Sequence, residues 1–520
     1  MHYRRIGLFA TSIALAAISF ANYAPDVANI SKNNLDAHLR FIASDLLQGR
    51  DTPSHGLDTA AAYIAAQLQM YGVEPGGVDG TYFQPMSYTS STLSTEGTIL
   101  QIDGKQIELG TGYIPTTVVP ADVQGSAIFV KSGWTNVETG VDPMKDMNVK
   151  GAIVITDGAL PEGMTQQALF RDPKWESPQA AAKRHGAVAV ITIAPTVNAT
   201  LWKRNLERMT AAGRYTLDTG SANQPIPTVQ VAPEVGASLI SAAINAAGSE
   251  FVSPAPNVTL KLNVVQNKTT ASNVIGIVPG SDPTLKSEYV AIGSHYDHVG
   301  IGRADATGDT IYNGADDDGS GTVAMIEIAR VIATGQRPKR TTVFIWHCGE
   351  EKGLVGSRYF ANNPTINLKN MIIQINIDMI GMAKQPGDTS AENAELTGPD
   401  EIYVIGPKLI STDITRTLTA VNNATVKMRL NEKYDTTEDR NQFYRRSDHF
   451  SYIEKGVPAI FLFSGVHAHY HQASDEIDKI DFDKLTLTTK LLYGLTYEFA
   501  NQKDKPRVDG PLKNLFGGQQ

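Results

Sequence analysis

The sequence predicts an α/β protein: a doubly wound mixed sheet interrupted by an inserted β-rich domain. Three observations carry this. Short apolar runs of strand character, YVAI at 289–292, TTVFIW at 341–346, MIIQINI at 371–377 and VPAIFLF at 457–463, alternate with helical patterns. Each run is followed by histidine or acidic residues, at the strand ends where open α/β sheets place their ligands. From about Tyr88 to Val264 the character changes to short strands separated by Gly, Asp and Pro turns, without any acid or histidine cluster.

Taken in order, the N-terminus has His2, Arg4 and Arg5 before an apolar run from Ile6 to Phe20, with small residues at Ser19, Ala21 and Ala24. This predicts a secretory signal peptide over residues 1–24 and export to the periplasm or beyond, since the run is too short for a good membrane span. Gly7 and Leu8 do not make twin-arginine surroundings. Residues 34–51 and 56–75 show helical spacing, the second closed by Gly72. Residues 25–90 and 264–508 are assigned to one domain, 91–263 to the insertion and 509–520 to a flexible tail. Within the insertion, SPQAAAKRHG at 177–186 predicts one helix. Beyond it, 319–335 predicts an amphipathic helix stopped by Gly335, and 354–363, 409–423, 447–456 and 486–501 predict further helices between the strands.

Composition bounds the function. With 42% hydrophobic and 19% charged residues the chain is ordinary for a globular protein, and 520 residues call for two domains or one with a large insertion. A net charge of −9 argues against nucleic acid or an anionic membrane surface as partner. Cys348 is the sole cysteine, which excludes an intrachain disulfide, and its strand-end position suits buried packing better than nucleophilic chemistry. Neither a G-x-S-x-G elbow nor an HExxH motif is present.

The strand-end clusters are GSHYDHVG around His295, GADDDGSG at 314–321, Glu350-Glu351 after WHCG, Asp378, and His471. Zinc accepts imidazole and carboxylate ligands, and two ions ~3.5–4 Å apart need a carboxylate that touches both. Two histidines and three carboxylates give each ion one His, one private carboxylate and a share of the bridge. Glu350, beside a ligand, is then free to act as general base; Asp297 can accept the second N–H of His295 and fix its tautomer; Tyr470 can donate to a developing oxyanion. Gly319 and Gly321 allow close approach where the Asp-rich turn enters its helix. His298, His347, His449, His467 and His469 read as supporting or structural, and Arg445 and Arg446 either hold a substrate carboxylate or face solvent.

The segments SHYDHVG, GADDDGSG, GEEKGLVGS, NIDMIG and YHQASDEIDKI resemble, in order, the M28 family of co-catalytic zinc peptidases, with bacterial secreted aminopeptidases the nearest type. The resemblance implies His295, Asp317 and Asp378 on one zinc and Asp317, Glu351 and His471 on the other, two ions per chain, with Co²⁺ or Mn²⁺ as substitutes. The choice of Asp317 among three aspartates rests on it, as does an expected cis peptide from Asp317 to Asp318. It implies Glu350 as general base, Asp297 as the histidine-orienting acid and Tyr470 as an oxyanion donor, and the inserted strands resemble a protease-associated (PA) domain. The function so implied is an exported di-zinc aminopeptidase acting on peptides. A carboxypeptidase or dipeptidase on the same site is the alternative, followed by a glutaminyl cyclase and a non-catalytic binding protein.

Overall fold

The computed structural model describes residues 25–516 except 166–167, 170–171, 173, 212–214, 219–223 and 245–255; the segment 1–24, expected to be a signal peptide, lies outside the described residues. The chain divides into two compact units, Met1–Met86 with Thr270–Gln520, and Ser87–Thr269. Among the described residues no helix is long and apolar enough to cross a membrane.

The strands that position the site are β1 (Val264–Val278, in the first unit from Thr270 on), β2 (Tyr289–His295), β3 (Thr341–His347), β4 (Met371–Ile377), β5 (Glu401–Ile405), β6 (Arg429–Asn431) and β7 (Ala459–Phe463), in sheet order β1-β3-β2-β4-β7-β5-β6. The inner run β3-β2-β4-β7 is parallel, whereas β1 on β3 and β5 on β7 are antiparallel, so the sheet is mixed. Every residue of β3, β4 and β7 is buried. That is why these strands read as unbroken apolar runs rather than alternating ones: helices cover both faces. Gly321–Thr334, Phe482–Asn501 and Lys32–Ile42 pack on one another and the first two against β2; His449–Ile453 packs on β4, β7 and the helix Val355–Asn362. The strand order reverses at β2, which has β3 on one side and β4 on the other, and such a switch point opens a crevice at the strand C-termini.

Two expected helices end early for local reasons. The first stops at Ile42, where Ala43 (ψ 29°) and Ser44 (ψ 151°) leave helical backbone; Gln48, Gly49 and Arg50 then take left-handed backbone (φ 49°, 69° and 50°) in a turn that buries the Arg50 side chain. The one at 409–423 is broken at Ser411, whose extended backbone restarts the helix as Thr412–Ala424 and whose hydroxyl accepts the amides of Asp413 and Ile414 at 3.2 Å. Residues 509–512, placed with the tail by sequence, are tied down: Asp509 accepts from the Thr412 amide and hydroxyl, and the amides of Gly510 and Leu512 donate to Ile410 and Leu409 carbonyls.

The second unit has its own apolar core, including Tyr113, Ile153, Ile191, Val229 and Leu260, around an eight-stranded sheet. Its central strands Ala121–Phe129, Ile153–Thr156, Ala189–Ile193 and Thr228–Val231 are parallel. Besides the expected helix Pro178–Arg184, the described residues include helices Ala199–Thr210 and Pro233–Ile244. The former buries only Trp202.

Candidate metal centre and active site

The turn Ala315–Ser320 follows Gly314 and leads straight into the helix Gly321–Thr334. Its three aspartates have different tasks. Met379, Ile380 and Gly381, the three residues after Asp378, donate their amides in turn to Asp318 Oδ1 (3.1 Å), Ser320 Oγ (3.0 Å) and Asp316 Oδ1 (2.5 Å). Asp316 and Asp318 are thus spent on backbone, and both are fully buried. A side chain at Gly321 would place Cβ 2.5 Å from both Asp318 oxygens, so close approach there requires glycine. Asp317, between them and joined to Asp318 by a cis peptide, is the one that faces the histidines.

Its two oxygens face different groups. Asp317 Oδ1 lies 3.2 Å from His295 Nε2, which is also 3.6 Å from Asp378 Oδ1. Asp317 Oδ2 lies 3.1 Å from His471 Nε2, itself 3.0 Å from Glu351 Oε2. The structure therefore brings together two donor groups that share Asp317: His295, Asp317 and Asp378, and His298, Asp317, Glu351 and His471. His298, read from sequence as supporting, belongs to the second, with Nδ1 3.0 Å from Glu351 Oε1. Its spacing of three from His295 was the available signal.

The electrostatics follow from crowding acids and imidazoles in one buried site. Burial opposes ionisation of Asp317, yet His295, His471 and His298 hold its carboxyl well below the usual range. Burial opposes charge on His295 too, and the surrounding Asp378, Asp297 and Asp317 raise it well above an ordinary imidazole; His471 is likewise raised to about 10 by Asp317 and Glu351 against the effect of burial. His295 Nε2, His471 Nε2, both His298 nitrogens and Glu351 Oε1 are buried and converge without a hydrogen bond of good geometry. Imidazole nitrogens and carboxylate oxygens gathered this way are the donor set that zinc takes, so the residues fit that metal.

Glu350 is in neither donor group; it lines a cavity with Asp317 and Asp378. Burial pushes its carboxyl well above the ordinary range, and the neighbouring Asp378, Asp448 and Glu351 push the same way. Asp297 differs in detail from expectation: its carboxylate accepts the Glu350 amide at 3.2 Å, and it is the Asp297 carbonyl, at 3.1 Å, that meets His295 Nδ1, with the carboxylate 3.7 Å away. Asp297 thereby connects a histidine donor to the Glu350 turn. Tyr470 stacks on His471 with ring centroids 4.0 Å apart and also lines the cavity, whose remaining wall is Met379, Phe443, Arg446, Phe461, Phe463 and Val466. Cys348 is buried, and burial pushes its thiol well above the usual range.

Further residues hold this arrangement, among them His467 and His347, read from sequence as supporting, and Asp475, Asn376, Ser447, Asp448, Arg50 and Thr52, which sequence reasoning did not assign. The Asp475 carboxylate accepts the amides of Asp316 (3.0 Å) and Asp317 (3.1 Å), linking the His471 loop to the shared aspartate. His467 Nε2 lies 3.2 Å from Asp316 Oδ2. Asn376 donates to Ser447 Oγ at 2.9 Å, and Ser447 bonds Asp378. Asp448 faces His347 Nδ1 at 3.3 Å, and His347 Nε2 is 2.8 Å from the Tyr452 hydroxyl. Arg50, fully buried, donates to the carbonyls of Ile42, Tyr296, Asn313 and Gly314, and Thr52 Oγ1 accepts the Gly349 amide at 3.0 Å. The 50–52 segment so braces three donor-bearing loops. Asp475 and Ser447 lay beside singled-out motifs, but Arg50 gave no signal because its partners are backbone carbonyls distant in sequence.

Residues 273–496 match the model of peptidase family M28. Among curated relatives, the probable leucine aminopeptidase 1 of Trichophyton verrucosum (strain HKI 0517) is 30% identical over 272 residues, covering 50% of this chain and 65% of the relative. Leucine aminopeptidase 1 of Trichophyton equinum is 28% identical with the same coverage. The chain thus spans 65% of the length of these relatives. Two similar solved structures are an aminopeptidase from Aneurinibacillus sp. strain AM-1 (20% identity, TM-score 0.48, 93% of this chain and 96% of that one) and BSAP, a zinc aminopeptidase from Bacillus subtilis (18%, 0.46, 92% and 98%). The segment that matches the model of peptidase family M28, residues 273–496, is the one that carries the whole donor cluster.

Proposed function

We propose that the chain is an exported di-zinc aminopeptidase that removes N-terminal residues from peptides. The observation that carries this reading is Asp317, with one oxygen turned to His295 and Asp378 and the other to His471 and Glu351. One zinc would be held by His295, Asp317 and Asp378, the other by Asp317, Glu351 and His471, with His298 beside the second. Zinc there supplies Lewis-acid polarisation of the scissile carbonyl and a nucleophile at neutral pH. Glu350, raised in pKa and open to the cavity, takes the proton of the attacking water and returns it to the leaving amine. Asp297 holds the Glu350 amide and His295 in one frame. The Tyr470 hydroxyl donates to the carbonyl oxygen as charge develops. Met379, Phe443, Phe461, Phe463 and Val466 give the cavity an apolar wall for the side chain of the first residue.

Support for zinc comes from the donor chemistry, and support for aminopeptidase activity from the relatives, which are named leucine aminopeptidases. Export rests on the sequence of residues 1–24, and a PA-like identity for the second unit on its short-stranded insertion pattern. The carboxypeptidase or dipeptidase reading draws on Arg446 as a cation in the cavity wall. Mass spectrometry of an unblocked peptide of mixed sequence, incubated with the zinc-loaded protein, separates the two. A ladder shortened from the N-terminus is expected; shortening from the C-terminus, or metal binding without cleavage, would overturn the proposal.

A further inference from the structure

The cavity beside the donor cluster sets an apolar wall opposite three acids, Asp317, Glu350 and Asp378, and carries a single cation, Arg446. Phe443, Phe461 and Phe463 form part of a buried aromatic cluster with Met379, and Tyr470 packs against it. Arg446 lines the same cavity, with its guanidinium carbon 5.0 Å from the Phe443 ring centroid. It has no carboxylate within ion-pair distance among the described residues. Its neighbour Arg445 is engaged elsewhere: Nε donates to the Tyr444 hydroxyl at 2.8 Å, and the guanidinium stacks over Tyr444 and Phe450. A cation parked on an aromatic face keeps its edge free for an incoming acceptor.

From this geometry we infer that Arg446 makes the cavity charge-selective, so that the enzyme releases acidic and uncharged N-terminal residues in preference to basic ones. The inference rests on the aminopeptidase reading. A side chain entering along the Phe443 wall brings its tip toward the guanidinium, where a carboxylate forms a charge-assisted, fork-matched bond and an ammonium meets a like charge. Of the acids that share the cavity, Asp317 and Asp378 are assigned to metal, which offsets their charge, and Glu350 to proton transfer; none of the three lies within ion-pair distance of Arg446. Its position directly before Ser447 fixes it, since Ser447 is bonded to Asn376 and Asp378.

The test measures kcat/KM for the p-nitroanilides of glutamate, leucine and lysine with the zinc-loaded protein. The glutamate-to-lysine ratio is expected to exceed one in the wild type. It should fall by roughly tenfold or more in Arg446→Gln and be kept within a few-fold in Arg446→Lys, tenfold being the scale of one well-formed charge-assisted contact. Circular dichroism and thermal melting check that the variants fold. Competitive inhibition by free glutamate, leucine and lysine should follow the same order, a readout independent of turnover. A ratio unchanged in Arg446→Gln, or a wild type that prefers lysine, overturns the inference while leaving aminopeptidase activity standing. Failure to release any of the three residues would overturn the aminopeptidase reading, and this inference with it.

Discussion

Glu350 and Glu351 share one turn after β3 yet part in role, and the cause is what each carboxylate meets. Glu351 lies 3.0 Å from both His471 Nε2 and His298 Nδ1, whereas Glu350 meets mainly burial and like charge. Glu350→Gln should therefore cut kcat by about 10²–10⁴-fold while metal content, measured by atomic absorption, stays at wild-type level. A second residue-scale consequence concerns His449, stacked on Phe461 at 4.8 Å and held neutral by burial, with its pKa lowered to about 4. An unfolded histidine titrates near ~6.5. The folded pKa is the lower one, so the stability it confers is complete above the unfolded value and is lost as pH falls from about 6.5 to about 4. Urea melts across that window should show the loss, ~3 kcal/mol at most, and His449→Phe should flatten it. The donor residues could be picked out in sequence because they are rare types at strand ends; Arg50 and Thr52 could not, because arginine and threonine bonding to backbone look like any others.

At the scale of elements, the Asp-rich turn and the loop carrying His471 are one construction. Asp475 accepts two successive amides of the turn, and Asp316, Ser320 and Asp318 accept three successive amides after Asp378. Asp475→Asn turns one acceptor into a donor facing an amide. It should cost about 1–3 kcal/mol of stability and weaken metal binding by roughly 10–100-fold in a chelator competition. A variant that binds metal as tightly as the wild type would show the loop to be held otherwise. Strands β2, β3, β4 and β7 were legible because continuous apolar runs bounded by polar clusters leave little choice of element. The break at Ser411 was not, because a serine inside a helical pattern becomes a cap only when the backbone before it turns, and that turn is set by Gly406 with φ of 109°. Two helices of the second unit, Ala199–Thr210 and Pro233–Ile244, were not singled out, because the surrounding short strands and turns set the reading of that stretch.

For the whole molecule, the two units have separate cores, and all donor residues lie in the first. Removal of metal should lower the melting temperature of that unit and leave the transition of Ser87–Thr269 in place. Saturation a thousandfold above Kd is worth ~4 kcal/mol. Calorimetry with and without a chelator checks this, and a uniform shift of every transition would contradict it. Fold class was readable from the order of elements, because each strand end also carried chemistry; the spatial order β3-β2-β4-β7 was not, because pairing across long connections leaves no local trace. The same topology has a consequence for timing. The donors come from the ends of four strands, and the central strand β2 is flanked only by partners that arrive later in the chain. Until those strands are paired, the imidazoles and carboxylates are strangers, and a half-made or unravelled copy has no gathered donor set. Completion of the centre thus waits on the order of assembly, with the closing of the sheet as the safety catch.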